Sequence, residues 1–419
     1  MMIENTMLDG ALVSKLRAEI DDLFQVNSVE IPRQLSLAEA SPIPGLGRLT
    51  QQRGRSEVST QGVVIFVGDL LMQDSEAAYD LIAERWQAHD YTPLLRRHKG
   101  QIALIGQPGV VVPKPSNPWI NFWLAVATIL AVLLTGANYE CQCYPTALEE
   151  WLLGIPMMLT IMAVLLAHEF GHYFAARYHK VAVTLPYFLP LPFLMVGTLG
   201  AFIQLRSPFK TKKELFDIGV AGPLAGLVFA IPLIFWSIAR LEVGPAVRGP
   251  FNTLEGNSIF YLLVKFLMHG ELLPSFVAYS DLGFLQEYSR LLIGIIPPGS
   301  GTDISLDTVA LAAWFSLVVT AMNLIPVGQL DGGHVIYCLL GDKARPLGLG
   351  LIGVMVLAGI FLWPGWLLWA GLVFFIIGPG HPPPLNDLIE LDSTRKTLAY
   401  VMIVIFVILF MPNPLQQFV

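Results

Sequence analysis

The stretch 163–177, AVLLAHEFGHYFAAR, constrains this chain more than any other. It contains His168-Glu169-Phe170-Gly171-His172, an H-E-x-x-H pattern. Residues four apart on a helix share one face, so both imidazoles can reach one zinc ion, with Glu169 beside them to handle a proton. The setting is unusual. Residues 151–167 are apolar apart from Thr160, whereas a helix on a soluble metal enzyme would be polar along one face. A metal-binding cluster at membrane depth is costly and usually functional.

The composition agrees with a membrane setting. The chain is 54% hydrophobic and 14% charged, against about 25% charged for soluble domains. At 419 residues it exceeds one ordinary domain. The expected architecture is a polytopic α-helical membrane protein, with about seven or eight transmembrane helices and a small N-terminal soluble α/β domain. The net charge of −7 argues against nucleic acid as a partner. Three cysteines, Cys141, Cys143 and Cys338, do not make a disulfide framework. Residues 1–24 are mixed in charge and lack an apolar core, unlike a signal peptide.

Residues 1–112 read as the soluble domain. Leu12, Leu16, Ile20 and Leu23 fall at helical spacing. Residues 31–60 are rich in Pro, Ser, Gly and Gln and read as linker. A strand is expected at 63–67, a helix at 75–89 and a second strand near 101–105. No catalytic constellation is present in this region, and docking, regulation or structural support are its expected roles. Residues 113–118 form a linker, 119–340 the membrane core, and 341–419 additional C-terminal spans. Candidate spans lie at 119–137, 151–176, 215–240, 308–328, 347–362, 363–379 and 398–411, with a weaker one at 257–270. Segment 139–151 carries Glu140, Glu149 and Glu150 and no Lys or Arg. Segment 177–213 carries Arg177, Lys180, Arg206, Lys210, Lys212 and Lys213 and no acid. The positive-inside rule therefore puts the second loop, the N-terminal domain and the motif end of its helix on the cytoplasmic side.

The same topology places Asp331, in Asn323-Leu-Ile-Pro-Val-Gly-Gln-Leu-Asp331-Gly-Gly, at the depth of His168 and His172. A catalytic zinc keeps three protein ligands and one open position; Asp331 is the candidate third ligand. A turn-capping role for it stays open at this point. Gly219, Gly222 and Gly226 are spaced for close helix packing. His334 is open to a place beside the site. His89, His98, His269 and His381 read as surface or loop residues, and a redox or metal role is open for Cys141 and Cys143.

Together, H-E-x-x-H and N-x-x-P-x-x-x-L-D-G resemble the signature of the site-2 protease family of intramembrane zinc metalloproteases, peptidase M50. Residues 195–206, MVGTLGAFIQLR, are similar to that family's membrane-associated hairpin, and residues 216–226, FDIGVAGPLAG, to its Gly-rich third core helix. The resemblance covers about residues 150–340 and is closest to the cyanobacterial and chloroplast branch, often called EGY-like. No PDZ-like insert is visible in 241–306. The resemblance implies one zinc per chain on His168, His172 and Asp331, with Glu169 as general base. It implies that Asn323 positions substrate or stabilises the oxyanion. The edge Gly197–Leu205 is the candidate for holding an unwound substrate by β-augmentation. Transmembrane proteins are the implied substrates, in a lipid bilayer. The implied location is a bacterial, cyanobacterial plasma or thylakoid membrane, or a chloroplast membrane. A transporter with a metal site, or a non-catalytic scaffold, are readings from other classes.

Overall fold

The computed structural model describes residues 10–30, 62–98, 100–113, 115–246 and 253–417. The chain divides into two compact units, one comprising residues 1–114, 206–216 and 382–395 and the other residues 115–205, 217–381 and 396–419.

The smaller unit is an α/β layer. Helix α1 (Gly10–Ala18) precedes strand β1 (Phe24–Glu30); then come β2 (Val64–Leu70), α2 (Ser75–Gln87), β3 (Tyr91–His98) and β4 (Gln101–Pro108). The strands form one antiparallel sheet in the order β1-β2-β4-β3. Asp74 starts α2 by accepting from the Glu76 and Ala77 backbone N–H groups, which are orphan donors at any helix start. Ala78, Tyr79, Ile82 and Trp86 repeat at helical spacing and are buried; they meet Leu16, Ile20, Phe24, Phe66 and Leu104 in one core. The Trp86 indole N–H donates to the Leu16 carbonyl, so this large side chain is buried without an unpaired donor. The sequence expectation of a domain at 1–112 does not include two later segments that join this unit. Lys210 pairs with Asp80, Lys212 with Asp387 and Lys213 with Glu76. The Leu95 N–H donates to Leu385 O and the Asp387 N–H to Leu95 O, adding an extended segment beside β3.

The larger unit is helical. It runs α3 (Pro118–Cys141), a short α4 (Leu148–Leu152), α5 (Ile155–Tyr178), hairpin strands β5 (Tyr187–Pro190) and β6 (Thr198–Phe202), and α6 (Lys212–Ile238), whose first residues belong to the smaller unit. Strands β7 (Val243–Pro245) and β8 (Thr253–Glu255), α7 (Ile259–His269), β9 (Ser275–Phe276), α8 (Phe284–Ile293) and β10 (Gly301–Ile304) follow. The chain ends its helical course with α9 (Thr308–Asn323), α10 (Asp331–Leu340), α11 (Ala344–Phe361), α12 (Gly365–Leu372) and α13 (Ser393–Leu409), then β11 (Leu415–Gln417). Among the described residues, four stretches are long and apolar enough to cross a membrane: 118–141, 148–178, 212–238 and 331–361. The expected spans at 308–328 and 363–379 are shorter as helices, at 308–323 and 365–377. The expected span 347–362 is part of a longer stretch, because α10 runs through a single 3-10 turn at Gly341–Lys343 into α11. Asp331 therefore opens a membrane-length stretch instead of ending one. The core of the bundle is built from Val132, Met157, Ile161, Leu227, Ala230, Trp314 and Leu317. Cys141, the last residue of α3, forms a disulfide with Cys143, and Cys338 is buried outside any disulfide.

Candidate metal centre

The centre forms where α5, α6 and the α9–α10 turn meet. On α5, His168, Glu169 and His172 are all buried, in a helix whose four-residue periodicity puts both imidazoles on one face. Helix α9 stops at Asn323, and residues 324–330 turn sharply, with the Leu324 N–H donating to Thr320 O and the Ile325 N–H to Met322 O. Pro326 has no N–H to continue the ladder, which favours the break. Asp331 is the first residue of α10; Leu330 occupies the cap position without a side-chain bond. The Asp331 carboxylate is thus not used as a cap. It faces the two histidines, at 3.3 Å from His168 Nε2 and 3.3 Å from His172 Nε2.

The His168 and His172 Nε2 atoms lie 3.1 Å apart. His172 Nδ1 lies 2.7 Å from the Ile218 carbonyl on α6. A carbonyl only accepts, so the ring proton sits on Nδ1 and the Nε2 lone pair faces inward. The three side chains offer ligand atoms all within 4.8 Å of one another. Nitrogen and oxygen ligands at zinc bond lengths of roughly 2.0–2.1 Å, set at tetrahedral angles, are themselves about 3.3 Å apart. The observed spacings of 3.1 and 3.3 Å fit that set. Two imidazole nitrogens and a carboxylate crowded this closely in a buried site suit a cation between them.

Helix α6 comes close because its facing side is glycine. A Cβ on Gly222 would fall within 2.5 Å of three His172 ring atoms, while a Cβ on Gly226 would be 3.4 Å from His168 Cβ. Gly219 faces His334 in the same way. The glycine spacing was legible; the identity of the residues pressed against it was not.

Beside the triad lies an apolar cavity of about 270 Å³ whose lining includes His168, Glu169, Thr198, Trp314, Asn323 and Trp363. The Ile203 backbone N–H interacts with the Glu169 carboxyl, while Glu169 Oε2 is buried with no hydrogen-bond partner. An unpaired buried carboxylate oxygen is costly and marks a group kept for a transient partner. Strand β6 borders the cavity through Thr198, Leu199, Gly200 and Ala201 and is paired only on its β5 side among the described residues. His334 sits beside the triad and is paired to His381, Nδ1 to Nε2 at 2.7 Å. His381 lies in a loop, one of the two places expected of it, but is buried at 9% exposure, so the surface alternative does not hold. Trp314 had no signal beyond general apolarity.

Three ligand-type side chains, a carboxylate with one unpaired oxygen and an apolar chamber thus come together inside a helical bundle, an arrangement able to hold a metal ion. Comparison with known families agrees: the profile of Peptidase family M50 matches residues 156–362. The match covers just under half of the chain, and the curated relatives it resembles are of the EGY type. It is 28% identical over 265 residues to "Probable zinc metalloprotease EGY1, chloroplastic" of Arabidopsis thaliana, covering 62% of this chain and 43% of that protein. It is 23% identical over 378 residues to "Probable zinc metalloprotease EGY2, chloroplastic" of Oryza sativa subsp. indica, covering 86% of this chain and 63% of that protein. To "Probable zinc metallopeptidase EGY3, chloroplastic" of Arabidopsis thaliana it is 26% identical, over 62% of this chain and 43% of the relative. The aligned regions thus span less than two thirds of each of these relatives.

Proposed function

We propose that this protein is an intramembrane zinc metalloendopeptidase that cuts membrane-embedded segments of other proteins. The observation that carries the reading is the convergence of His168, His172 and Asp331 beside a buried, unpaired Glu169 oxygen on an apolar chamber. These three residues would hold one zinc ion per chain. When bound, zinc supplies Lewis acidity, polarising a scissile carbonyl and bringing water to a pKa of about 7. Glu169 takes the proton from the attacking water and returns it to the leaving amine. The Asn323 side-chain amide, on the chamber wall, donates toward the carbonyl oxygen as charge builds on it. The apolar walls exclude bulk water and strengthen each of these interactions.

A helical substrate hides its peptide bonds and must unwind before cleavage. The open edge of β6 offers backbone partners for the unwound segment. The substrates are transmembrane proteins reached from the bilayer, and nucleic acid is no partner. The shorter apolar helices 308–323 and 365–377, with α13, complete about seven spans around the four long ones. The charge difference between 139–151 and 177–213 supports an active site toward the cytoplasmic or stromal face, with the α/β unit on that side.

The test is zinc content per chain in detergent-purified protein, with wild type beside Asp331→Ala. About one zinc per wild-type chain is expected for a closed three-ligand set, with much weaker retention in the variant. Wild type that stays zinc-free after metal is supplied would refute the reading.

A further inference from the structure

The region beyond the M50 match reaches back to the metal centre. Residues 363–417 lie outside the matched segment, and among them is His381, in the loop between α12 and α13. Its imidazole contacts two successive turns of α10. The ring meets His334 edge-on with centroids 4.8 Å apart, and stacks on Tyr337 at 4.9 Å. His334 lies three residues after Asp331, which puts the two side chains on neighbouring positions of one helix face. His334 also feels the charges of Asp331 and His172.

The loop carrying His381 is fixed by its own contacts. Gln329 Nε2 donates to Ile377 O at 3.2 Å, and the Gly378 N–H donates to Val373 O at 2.7 Å. Gly328 has a φ of +59° and abuts the Gly378 carbonyl, so a side chain there would be both strained and blocked. The Pro379 carbonyl lies where a Cβ on Gly348 would be, at 2.6 Å. On its other side His334 is pressed against α6, where a Cβ on Gly219 would come within 2.8 Å of His334 Cβ. His334 is therefore clamped between the helix that orients His172 and a histidine delivered by the C-terminal region.

We infer that His381 is a positioning residue for the metal centre: by its hydrogen bond to His334 it sets the first turn of α10, and with it the aim of the Asp331 carboxylate. A ligand whose own helix turn is held in place binds metal more tightly than a free one, and loss of an outer support of a ligand typically costs ten- to a hundredfold in metal affinity. The bond requires one ring nitrogen to donate and the other to accept, so the tautomers of the two rings are coupled. The inference rests on His168, His172 and Asp331 being the ligands.

The test is zinc retention against graded chelator on detergent-purified full-length protein, together with thermal melting and the kinetics of cutting a model transmembrane segment. His381→Ala is expected to lose zinc at about ten- to a hundredfold lower chelator strength and to lower kcat with KM within about twofold. His381→Gln, which keeps a donor and an acceptor, is expected to recover most of both losses. His334→Ala should match His381→Ala, and the double variant should be no worse than either single change. Wild-type zinc retention in His381→Ala overturns the inference. So does a loss that His381→Gln fails to restore while melting falls equally in both, since that marks packing alone. Wild type without zinc under the same conditions would instead defeat the ligand assignment.

Discussion

Replacing Gly222 by alanine adds one methyl group and is expected to disable the metal centre. Ordinary van der Waals contact begins at 3.4 Å, and the new Cβ would stand within 2.5 Å of His172 Nε2, Cδ2 and Cε1. The ring must therefore move by about 1 Å, or α6 must withdraw by as much. Metal–ligand distances tolerate only about 0.2 Å. A displacement of that size also breaks the 2.7 Å bond from His172 Nδ1 to Ile218 O, which sets the tautomer. Overpacking of this kind costs about 1–3 kcal/mol in stability, so the fold is expected to survive while the site fails. Zinc per chain by elemental analysis should fall well below wild type, and cleavage of a membrane-segment reporter should fall with it. Gly226→Ala is the internal control on the same stripe, because its Cβ meets His168 at 3.4 Å and can be accommodated. Gly353→Ala on α11 has open space and should be neutral. Gly222→Ala with full zinc and normal cleavage, or equal loss in Gly226→Ala, would refute the close approach of α6 to the metal ligands.

Glu169→Gln should retain zinc and melt normally but lose cleavage by about 10²–10⁴-fold, read in single turnovers; normal cleavage removes Glu169 from proton transfer. Trp86→Ala, at a fully buried position in the α/β core, should cost that unit about 3–5 kcal/mol, seen as an earlier proteolytic or melting transition. Burial pushes the Asp303 carboxyl up to about 6, against the pull of Lys265 at 3.4 Å. The folded state therefore binds this proton more tightly than the unfolded chain, whose carboxyl titrates near 3.8. That contribution is fully present below the unfolded value and is lost as pH rises through about 6. Between pH 7.5 and 5 the melting temperature of wild type should gain relative to Asp303→Asn; parallel profiles would show that Asp303 does not titrate in this window.

The centre was legible where chemistry is local. H-E-x-x-H puts His168 and His172 on one face by helix geometry alone, and the Pro326 break with Asp331 just beyond it pointed to a carboxylate at the same depth. What stayed hidden depends on packing between distant segments. No sequence rule says that Gly222 lies on the His172 ring, or that His381 reaches His334. The span count was harder still. Apolarity marks 308–328 as continuous, yet Pro326 and the following glycines end the helix at Asn323, and α10 restarts the count at Asp331. In the α/β unit β2 and β4 were expected from the apolar runs at 63–67 and 101–105, whereas β1 and β3 were not, and the extended segment 385–387 beside β3 carries Pro and Asn neighbours and no strand pattern.

The chamber beside the triad is walled by pieces drawn from far along the chain: α5, the β5–β6 hairpin, α9, Trp363 and Trp369, and finally Pro414 and Leu415. All three proposed ligands are synthesised by residue 331, before any of the later wall exists. During synthesis the chain can thus own its metal ligands while lacking the enclosure that confines them, because domains assemble as they emerge. Competence to bind metal and competence to cut are then acquired at different times. A chain ended after Phe361 should bind zinc, weakly without His381, and leave membrane segments intact; cleavage by that shortened chain would show that the late wall is dispensable. The C-terminal helices, on this view, act as the closing of a vessel that is loaded before it is shut.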